Sequence, residues 1–179
     1  MTQNRTLSLI LPAFGAAIIA ALAQIVIPIG AVPITLQTFA VGLVAAILKP
    51  REATLAATLY LILGAIGLPV FAGGGGGLQS FFGPSAGYLL AYPFFAFVTS
   101  KLTHAGTPIW KIFVAFVLGD ALVFIGGILS LHFLGKMGWS AVVAVGLTPF
   151  IIPDLLKGLI VALVTKPVLK ALKNHSYFN

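Results

Sequence analysis

Charged residues are scarce in this sequence. Only 7% of its 179 residues are charged and 60% are hydrophobic, whereas about a quarter of an ordinary soluble domain is charged. Residues 6–48 and 53–100 contain no Asp, Glu, Lys or Arg. Each stretch is too long for one buried core helix and has room for two membrane spans. The composition therefore excludes a water-soluble domain and predicts an all-α membrane protein with several spans.

Cysteine is absent altogether, which excludes disulfides, thiolate metal sites and cysteine nucleophiles. The three histidines, His104, His132 and His175, do not have the spacing of metal ligands. No Ser-His-Asp or paired-carboxylate arrangement is apparent, and no G-x-x-x-x-G-K-[ST] phosphate loop is found. We therefore expect no enzyme, no metal and no cofactor, and any use of ATP must belong to partner subunits.

Apolar segments separated by prolines predict a single transmembrane domain over residues 1–179 with six spans. The predicted spans are residues 7–27, 33–48, 53–68, 85–100, 108–133 and 149–165. The second and third reach only about 24 Å, which is short of a hydrocarbon core of about 30 Å. We expect the loop after the third span to dip into an outward-facing pocket, although a thinned bilayer or tilted neighbours would also accommodate short spans.

The distribution of basic residues predicts the orientation. Eight of them fall on one side of these spans: Arg5, Lys49, Arg51, Lys101, Lys111, Lys166, Lys170 and Lys173. Only Lys136 falls in a loop on the other side. Because cytoplasmic loops carry an excess of Lys and Arg, both termini are predicted to be cytoplasmic. The loops around residues 28–33, 69–84 and 134–148 are then predicted to face outward.

Three charged residues lie inside predicted spans, where charges are costly and by default indicate function. Asp120 is near the middle of the fifth span, and Asp154 and Lys157 are three residues apart in the outer half of the sixth. This spacing puts Asp154 and Lys157 on one helical face, where they either neutralise each other or share a ligand. Asp120 is a candidate ligand group, an acceptor of a hydrogen bond between helices, or a proton site.

Residues 67–84 form the most unusual segment, because five consecutive glycines, Gly73 to Gly77, stand among three phenylalanines. Glycine lets the backbone approach a ligand closely, and aromatic rings supply apolar walls. The segment predicts a loop that closes over a small molecule, and a flexible linker is the alternative. Candidate binding residues in or near it are Phe71, Gly73, Gly74, Gly75, Gln79 and Tyr88, with Thr35, Gln37 and Thr38 at the outer end of the second span.

The first span carries small residues at helical spacing. Ala13, Ala17 and Ala21 are four residues apart, and Ala16 and Ala20 lie beside them. Such a smooth face lets another helix approach closely within a membrane. The pattern predicts either docking of a partner subunit or packing inside this chain.

Four segments together resemble the BioY family, the biotin-specific substrate-binding subunits (S components) of energy-coupling-factor (ECF) transporters. They are residues 32–38, VPITLQT; 64–77, GAIGLPVFAGGGGG; 83–90, GPSAGYLL; and 153–157, PDLLK. The resemblance implies the six-helix S-component fold, in the cell membrane of a prokaryote. It also implies high-affinity capture of biotin from outside the cell, and docking on a transmembrane coupling subunit that two cytoplasmic ATPases drive.

The resemblance also implies roles for residues. Lys157 is expected to take the carboxylate or the ureido carbonyl of biotin, and Asp154 to accept a hydrogen bond from an N–H group. Amides of the glycine segment and Tyr88 are expected to close the site. Ala13 and Ala17 are implied as contacts with the coupling subunit, with Ala16 and Ala20 as the alternative register. The competing function is a stand-alone proton-coupled carrier of a small organic anion that uses Asp120.

Overall fold

The structure, a computed structural model, describes residues 2–28, 32–172 and 177, and for residues 2–5 it describes the backbone alone. The sequence interpretations of Lys173, of His175 and of the side chain of Arg5 lie outside the described residues. The described part contains seven α-helices: α1 (Thr2–Leu22), α2 (Gln37–Ile47), α3 (Pro50–Ala65), α4 (Ala86–Leu102), α5 (Ile109–Phe133), α6 (Trp139–Gly146) and α7 (Thr148–Leu172). Two short strands, β1 (Val26–Ile27) and β2 (Ile34–Thr35), pair antiparallel.

The six predicted helices correspond to α1 to α5 and α7. The eight-residue α6 directly precedes α7. It lies within residues 134–148, which the sequence predicts to be a loop. Two apolar helical segments, Ile109–Phe133 and Trp139–Leu172, are each long enough to cross a membrane, and Thr6–Leu22 and Gln37–Ile47 are shorter apolar helices. The architecture is therefore all-helical with six long or medium helices and one short one.

Proline and hydrogen bonding explain several helix boundaries. Pro50 occupies the first turn of α3 and Pro108 caps α5, where a missing N–H costs nothing. The helix α2 begins at Gln37 and not at Pro33, the predicted start. Residues 34 and 35 pair with β1 instead, and the Thr35 hydroxyl accepts a hydrogen bond from the backbone N–H of Gln37 at 3.2 Å. The second span is consequently even shorter than predicted.

Three helices approach closely around one aromatic ring. Phe116 of α5 is fully buried and meets Phe95 edge to face, with ring centroids 5.2 Å apart. A Cβ atom at Gly42 of α2 would lie 2.3 Å from this ring, and one at Gly158 of α7 would lie 2.7 Å from it. Only glycine permits this packing. Because Gly42 is one turn after Thr38 and Gly158 follows Lys157, the same packing brings these two side chains together.

The bundle has two chemically different ends. The turns between α2 and α3 and between α4 and α5, with the last turns of α7, form one end, which we call the basic end because Lys49, Lys101, Lys166 and Lys170 lie there. The β-hairpin, residues 67–84 (the glycine loop) and the connection from α5 to α6 lie at the opposite end. This second end contains a large cavity and is called the cavity end.

Candidate functional site

A cavity of about 300 Å³ opens among the helices at the cavity end. Segments from the hairpin, the glycine loop, α2, α4, α5 and α7 contribute to its walls. Its apolar residues include Val32, Phe71, Leu89, Tyr92, Val123, Phe124 and Phe150, and its polar residues include Thr35, Gln37, Thr38, Ser80, Ser85, Tyr88, Asp154 and Lys157. A mainly apolar cavity of this size with a few convergent polar groups is typical of a small-molecule site.

Asp154, Lys157 and Thr38 form a connected group in this cavity. Asp154 and Lys157 form an ion pair on α7, as their spacing predicted. The Thr38 hydroxyl of α2 donates to Asp154 Oδ1 at 3.1 Å, and Lys157 Nζ donates to Thr38 Oγ1 at 3.0 Å. A hydroxyl has one proton and two lone pairs, so Thr38 can serve both charged groups at once. The sequence placed Thr38 near the site but did not predict this bridge.

The ion pair is buried, since Asp154 is 4% exposed and Lys157 is 8% exposed. Removing two charges from water costs several kcal/mol for each ion, and only good pairing and further hydrogen bonds offset this cost. The hydrogen bonds described for Lys157 use two of its three N–H donors. The arrangement places a cation and a carboxylate in the wall of a mainly apolar cavity, where charge-assisted hydrogen bonds to a ligand would be strong.

Gln37 lines the cavity with its amide held in place. Its Nε2 donates to the Tyr60 hydroxyl at 2.6 Å, and its Oε1 accepts from Thr35 Oγ1 at 3.1 Å. Tyr60 is fully buried. The predicted residue is thus at the site, with its amide oriented by two protein groups.

Tyr88 of α4 also lies in the wall, where it was predicted. Its ring packs on Gly127 of α5, at which a Cβ atom would lie 2.1 Å from the ring. Its hydroxyl donates to the backbone carbonyl of Gly146 at 2.6 Å. Because its proton is used in this bond, the oxygen could serve a ligand only as an acceptor.

Phe71 anchors the glycine loop in the bundle. Its ring contacts Gly64 of α3, at which a Cβ atom would lie 2.0 Å from it, and meets the Tyr60 ring edge to face at 5.4 Å. The backbone N–H of Phe71 donates to the Gly75 carbonyl at 2.9 Å, and that of Gly77 donates to the Gly64 carbonyl at 2.7 Å. Phe71 and Gly75 line the cavity, as predicted. The loop is fixed at defined points, which argues against a flexible linker.

Four predicted binding residues do not line the cavity. Gly73 and Gly74 adopt positive φ angles of 64° and 80° in a turn that lies near Val26 and Gln24, away from the cavity. Gln79 is exposed and donates to the Gly76 carbonyl at 2.6 Å. Asp120 is buried on α5 but is not part of the cavity wall. These four positions lie outside the cavity wall in this structure, and their part in binding stays a prediction.

Gln24 was not predicted to take part, yet it connects α1 to the glycine loop. Its Nε2 lies 3.0 Å from the Ala20 carbonyl and 3.3 to 3.4 Å from the carbonyls of Pro69, Val70 and Phe71. The Gln24 amide therefore links a carbonyl in the last turn of α1 to carbonyls at the start of the glycine loop. A polar residue at the end of an apolar alanine-rich helix is the signal that could have identified it.

The small residues of α1 divide between two environments. Ala13 and Ala17 are exposed on the outer face of the helix, whereas Ala16 is fully buried in the core and Ala20 is half-buried. Ala16 therefore has no surface to offer a partner in this conformation. The exposed register is therefore that of Ala13 and Ala17, and docking through either register stays a prediction.

Comparisons with known proteins agree with one another. A family model described as the BioY family matches residues 1–174. The chain is 42% identical over 182 residues to the biotin transporter BioY2 of Lactococcus lactis subsp. cremoris, which covers 99% of both chains. It is 39% identical over 142 residues to the biotin transporter BioY of Thermotoga maritima, covering 79% of this chain and 83% of that one. The crystal structure of the S-component for biotin from an ECF-type ABC transporter is similar with a TM-score of 0.88 and 29% identity, over 100% of this chain and 99% of that chain.

Proposed function

The chain belongs to the BioY family, and from this premise we propose that it captures biotin as the substrate-binding subunit of an ECF transporter. The observation that carries the proposal is the buried group of Asp154, Thr38 and Lys157 in an apolar cavity. This group provides both signs of charge at one place. It suits a ligand that has anionic and polar neutral groups together with apolar surface.

Biotin has these chemical features. Its carboxylate is an anion, its ureido ring has two N–H donors and one carbonyl acceptor, and its thioether ring and chain are apolar. Lys157 donates to an oxygen of the ligand, either the carboxylate or the ureido carbonyl, and Asp154 accepts from an N–H group. Phe71, Tyr92 and Phe150 provide apolar contact. Gly75 and Tyr88 complete the wall over the ligand.

The family is one of membrane proteins, and the distribution of charge supports a specific orientation. The basic end carries Lys49, Lys101, Lys111, Lys166 and Lys170, while Lys136 is at the cavity end. An excess of lysine marks the cytoplasmic side. Both termini are therefore cytoplasmic, the chain crosses the cell membrane several times, and the cavity faces the outside, from which biotin enters.

The exposed face of α1 is the docking surface for the transmembrane coupling subunit, which two ATPase subunits drive. Ala13 and Ala17 let the backbone of a partner helix approach closely. In the test, Ala13→Trp and Ala17→Trp each abolish co-purification with the coupling subunit and leave biotin affinity unchanged. Ala121→Trp is the matched control, because Ala121 is an exposed alanine on α5. Equal loss of co-purification with Ala121→Trp would contradict this docking surface.

The substrate is tested by calorimetric titration of purified, ligand-stripped protein with biotin, and with riboflavin and thiamine as controls. We expect binding of one biotin per chain and no heat from the other two vitamins. Heat with all three, or with none, would contradict biotin capture.

The competing carrier function rests on Asp120, whose Oδ1 is buried with no partner among the described residues. Uptake by liposomes that contain this chain alone and a proton gradient would favour it.

A further inference from the structure

Two adjoining cavities lie at the basic end, at the opposite side of the molecule from the proposed biotin site. The first, of about 200 Å³, lies between the turn from α2 to α3 and the end of α4, and the second, of about 270 Å³, lies between the turn after α4 and the last turns of α7. Ala105 and Leu169 line both cavities. The two cavities are therefore adjacent at the end of the helices, and we call them together the basic groove.

Four of the described lysines line the basic groove: Lys49 and Lys101 in the first cavity, and Lys166 and Lys170 in the second. All four are exposed, and within the described residues none of them forms a salt bridge. The chain has only three acidic residues. Asp120 and Asp154 lie in the bundle, which leaves Glu52 as the acidic side chain near this end.

Glu52 does not line the basic groove. It is buried and interacts with Tyr177, whose hydroxyl accepts from the backbone N–H of Lys49 at 3.1 Å. Burial raises the pKa of Tyr177 to about 12, so this residue is uncharged at neutral pH. Among the described residues that line the groove, none carries a negative charge to balance the lysines.

One hydroxyl group at this end, that of Thr103, differs from its neighbours in having no hydrogen-bond partner among the described residues. Ser100 donates to the Leu48 carbonyl, and Thr107 Oγ1 accepts from the His104 backbone N–H at 2.9 Å and lies 3.1 Å from His104 Nδ1. Thr103 also lines the groove and is 8% exposed, but its Oγ1 has no hydrogen-bond partner among the described residues. A buried hydroxyl without a partner costs about 1–3 kcal/mol. Because Oγ1 has almost no accessible surface in this conformation, the side chain must rotate toward the groove to donate to a bound acceptor.

We propose that the basic groove binds a phosphate or phosphodiester group, of the kind carried by anionic phospholipid headgroups. Lysine ammonium groups and a threonine hydroxyl are suitable donors to phosphate oxygens. Apolar residues beside them, including Ile47 and Leu169, suit the glycerol and acyl region of a lipid. Basic pockets between membrane helices are a known setting for such headgroups. The inference does not depend on which ligand fills the cavity at the other end.

Native mass spectrometry of the full chain, delipidated in detergent, tests the proposal by titration with phosphatidylglycerol and, separately, phosphatidylcholine. We expect one phosphatidylglycerol to bind at least about tenfold more tightly than phosphatidylcholine. The Lys166→Gln/Lys170→Gln variant is expected to lose this preference. The control Lys111→Gln/Lys136→Gln removes two exposed lysines that do not line the groove, and it is expected to keep the preference.

A second variant separates a specific site from general attraction between charges. Thr103→Val keeps every lysine and is expected to weaken phosphatidylglycerol binding several-fold, since it removes only the unpaired hydroxyl. Competition by millimolar inorganic phosphate would show that free phosphate shares the site, and its absence would show that the lipid headgroup is the source. Either result supports the groove. Equal binding of the two lipids, or equal loss in both double variants, would overturn the proposal, and biotin titration of the same samples checks that they are folded.

Discussion

The two ends of the molecule use lysine in opposite ways. At the cavity end, Lys157 is buried and bonded to Asp154 and Thr38. At the basic end, Lys49, Lys101, Lys166 and Lys170 are exposed without salt bridges among the described residues. A buried cation must be paired, because its desolvation cost is several kcal/mol, whereas an exposed one remains hydrated. A lysine at the cavity end therefore needs protein partners, whereas the lysines at the basic end keep their charge accessible.

The largest expected effect comes from removing the buried lysine. Lys157→Met leaves Asp154 buried without its cation, and we expect biotin affinity to fall about 150-fold, equivalent to about 3 kcal/mol. Lys111→Met at the basic end is the control and is expected to leave affinity unchanged. Calorimetric titration of both variants measures the contrast. Unchanged affinity in Lys157→Met would remove the distinction between the two ends.

The bridge between the two charges is tested next. Thr38→Val keeps the side-chain shape but removes the hydroxyl that serves Asp154 and Lys157, and we expect a loss of about 2 kcal/mol in biotin binding. Thr58→Val is the matched control, because the one bond of the Thr58 hydroxyl among the described residues is to the Thr54 carbonyl within α3. If both variants bind biotin equally well, Thr38 does not position the pair. A spectroscopic melt of each variant checks folding.

The anchoring of the glycine loop gives a smaller effect. Gly64→Ala places a Cβ atom 2.0 Å from the Phe71 ring, so the ring must move, and we expect a loss of about 1.5 kcal/mol in stability together with weaker biotin binding. Gly138→Ala is the control, since this glycine has a φ of −65° and open space around it. Thermal unfolding in detergent, with and without biotin, measures the difference. A stable Gly64→Ala protein with normal affinity would mean that Phe71 does not anchor the loop.

The smallest effect is expected at Gln24. Gln24→Ala removes the amide that reaches the carbonyls of Pro69, Val70 and Phe71. We expect biotin to dissociate up to about fivefold faster, because one exposed hydrogen-bonding group contributes about 1 kcal/mol at most. Stopped-flow release measures the rate, and Ile25→Ala, an exposed neighbour, is the control. Equal release rates in the two variants would show that the contact between Gln24 and the glycine loop does not affect biotin release.

Much of this arrangement follows from the sequence. The lack of charge in residues 6–48 and 53–100 and the position of the prolines predict six helices, and α1 to α5 and α7 are found. The pairing of Asp154 with Lys157 follows from their spacing, since residues three apart share a helical face. The resemblance to BioY is confirmed by the family match over residues 1–174.

Other features depend on tertiary packing and were not predictable. Thr38 meets Lys157 because Gly42 and Gly158 let α2 and α7 pack around Phe116, a contact between residues more than 100 positions apart. The side of the loop that Gly73 and Gly74 occupy depends on their positive φ angles. Periodicity alone also does not distinguish the Ala13/Ala17 register of α1 from the Ala16/Ala20 register. Their exposure depends on which face of α1 packs against the other helices.

The most direct test of the central claim is the experimentally determined structure of this protein with biotin bound. We predict that biotin fills the cavity of about 300 Å³, with one of its oxygens within hydrogen-bond distance of Lys157 Nζ and one of its N–H groups bonded to Asp154. Biotin bound elsewhere, or bound in the cavity with no polar contact to either residue, would contradict the account.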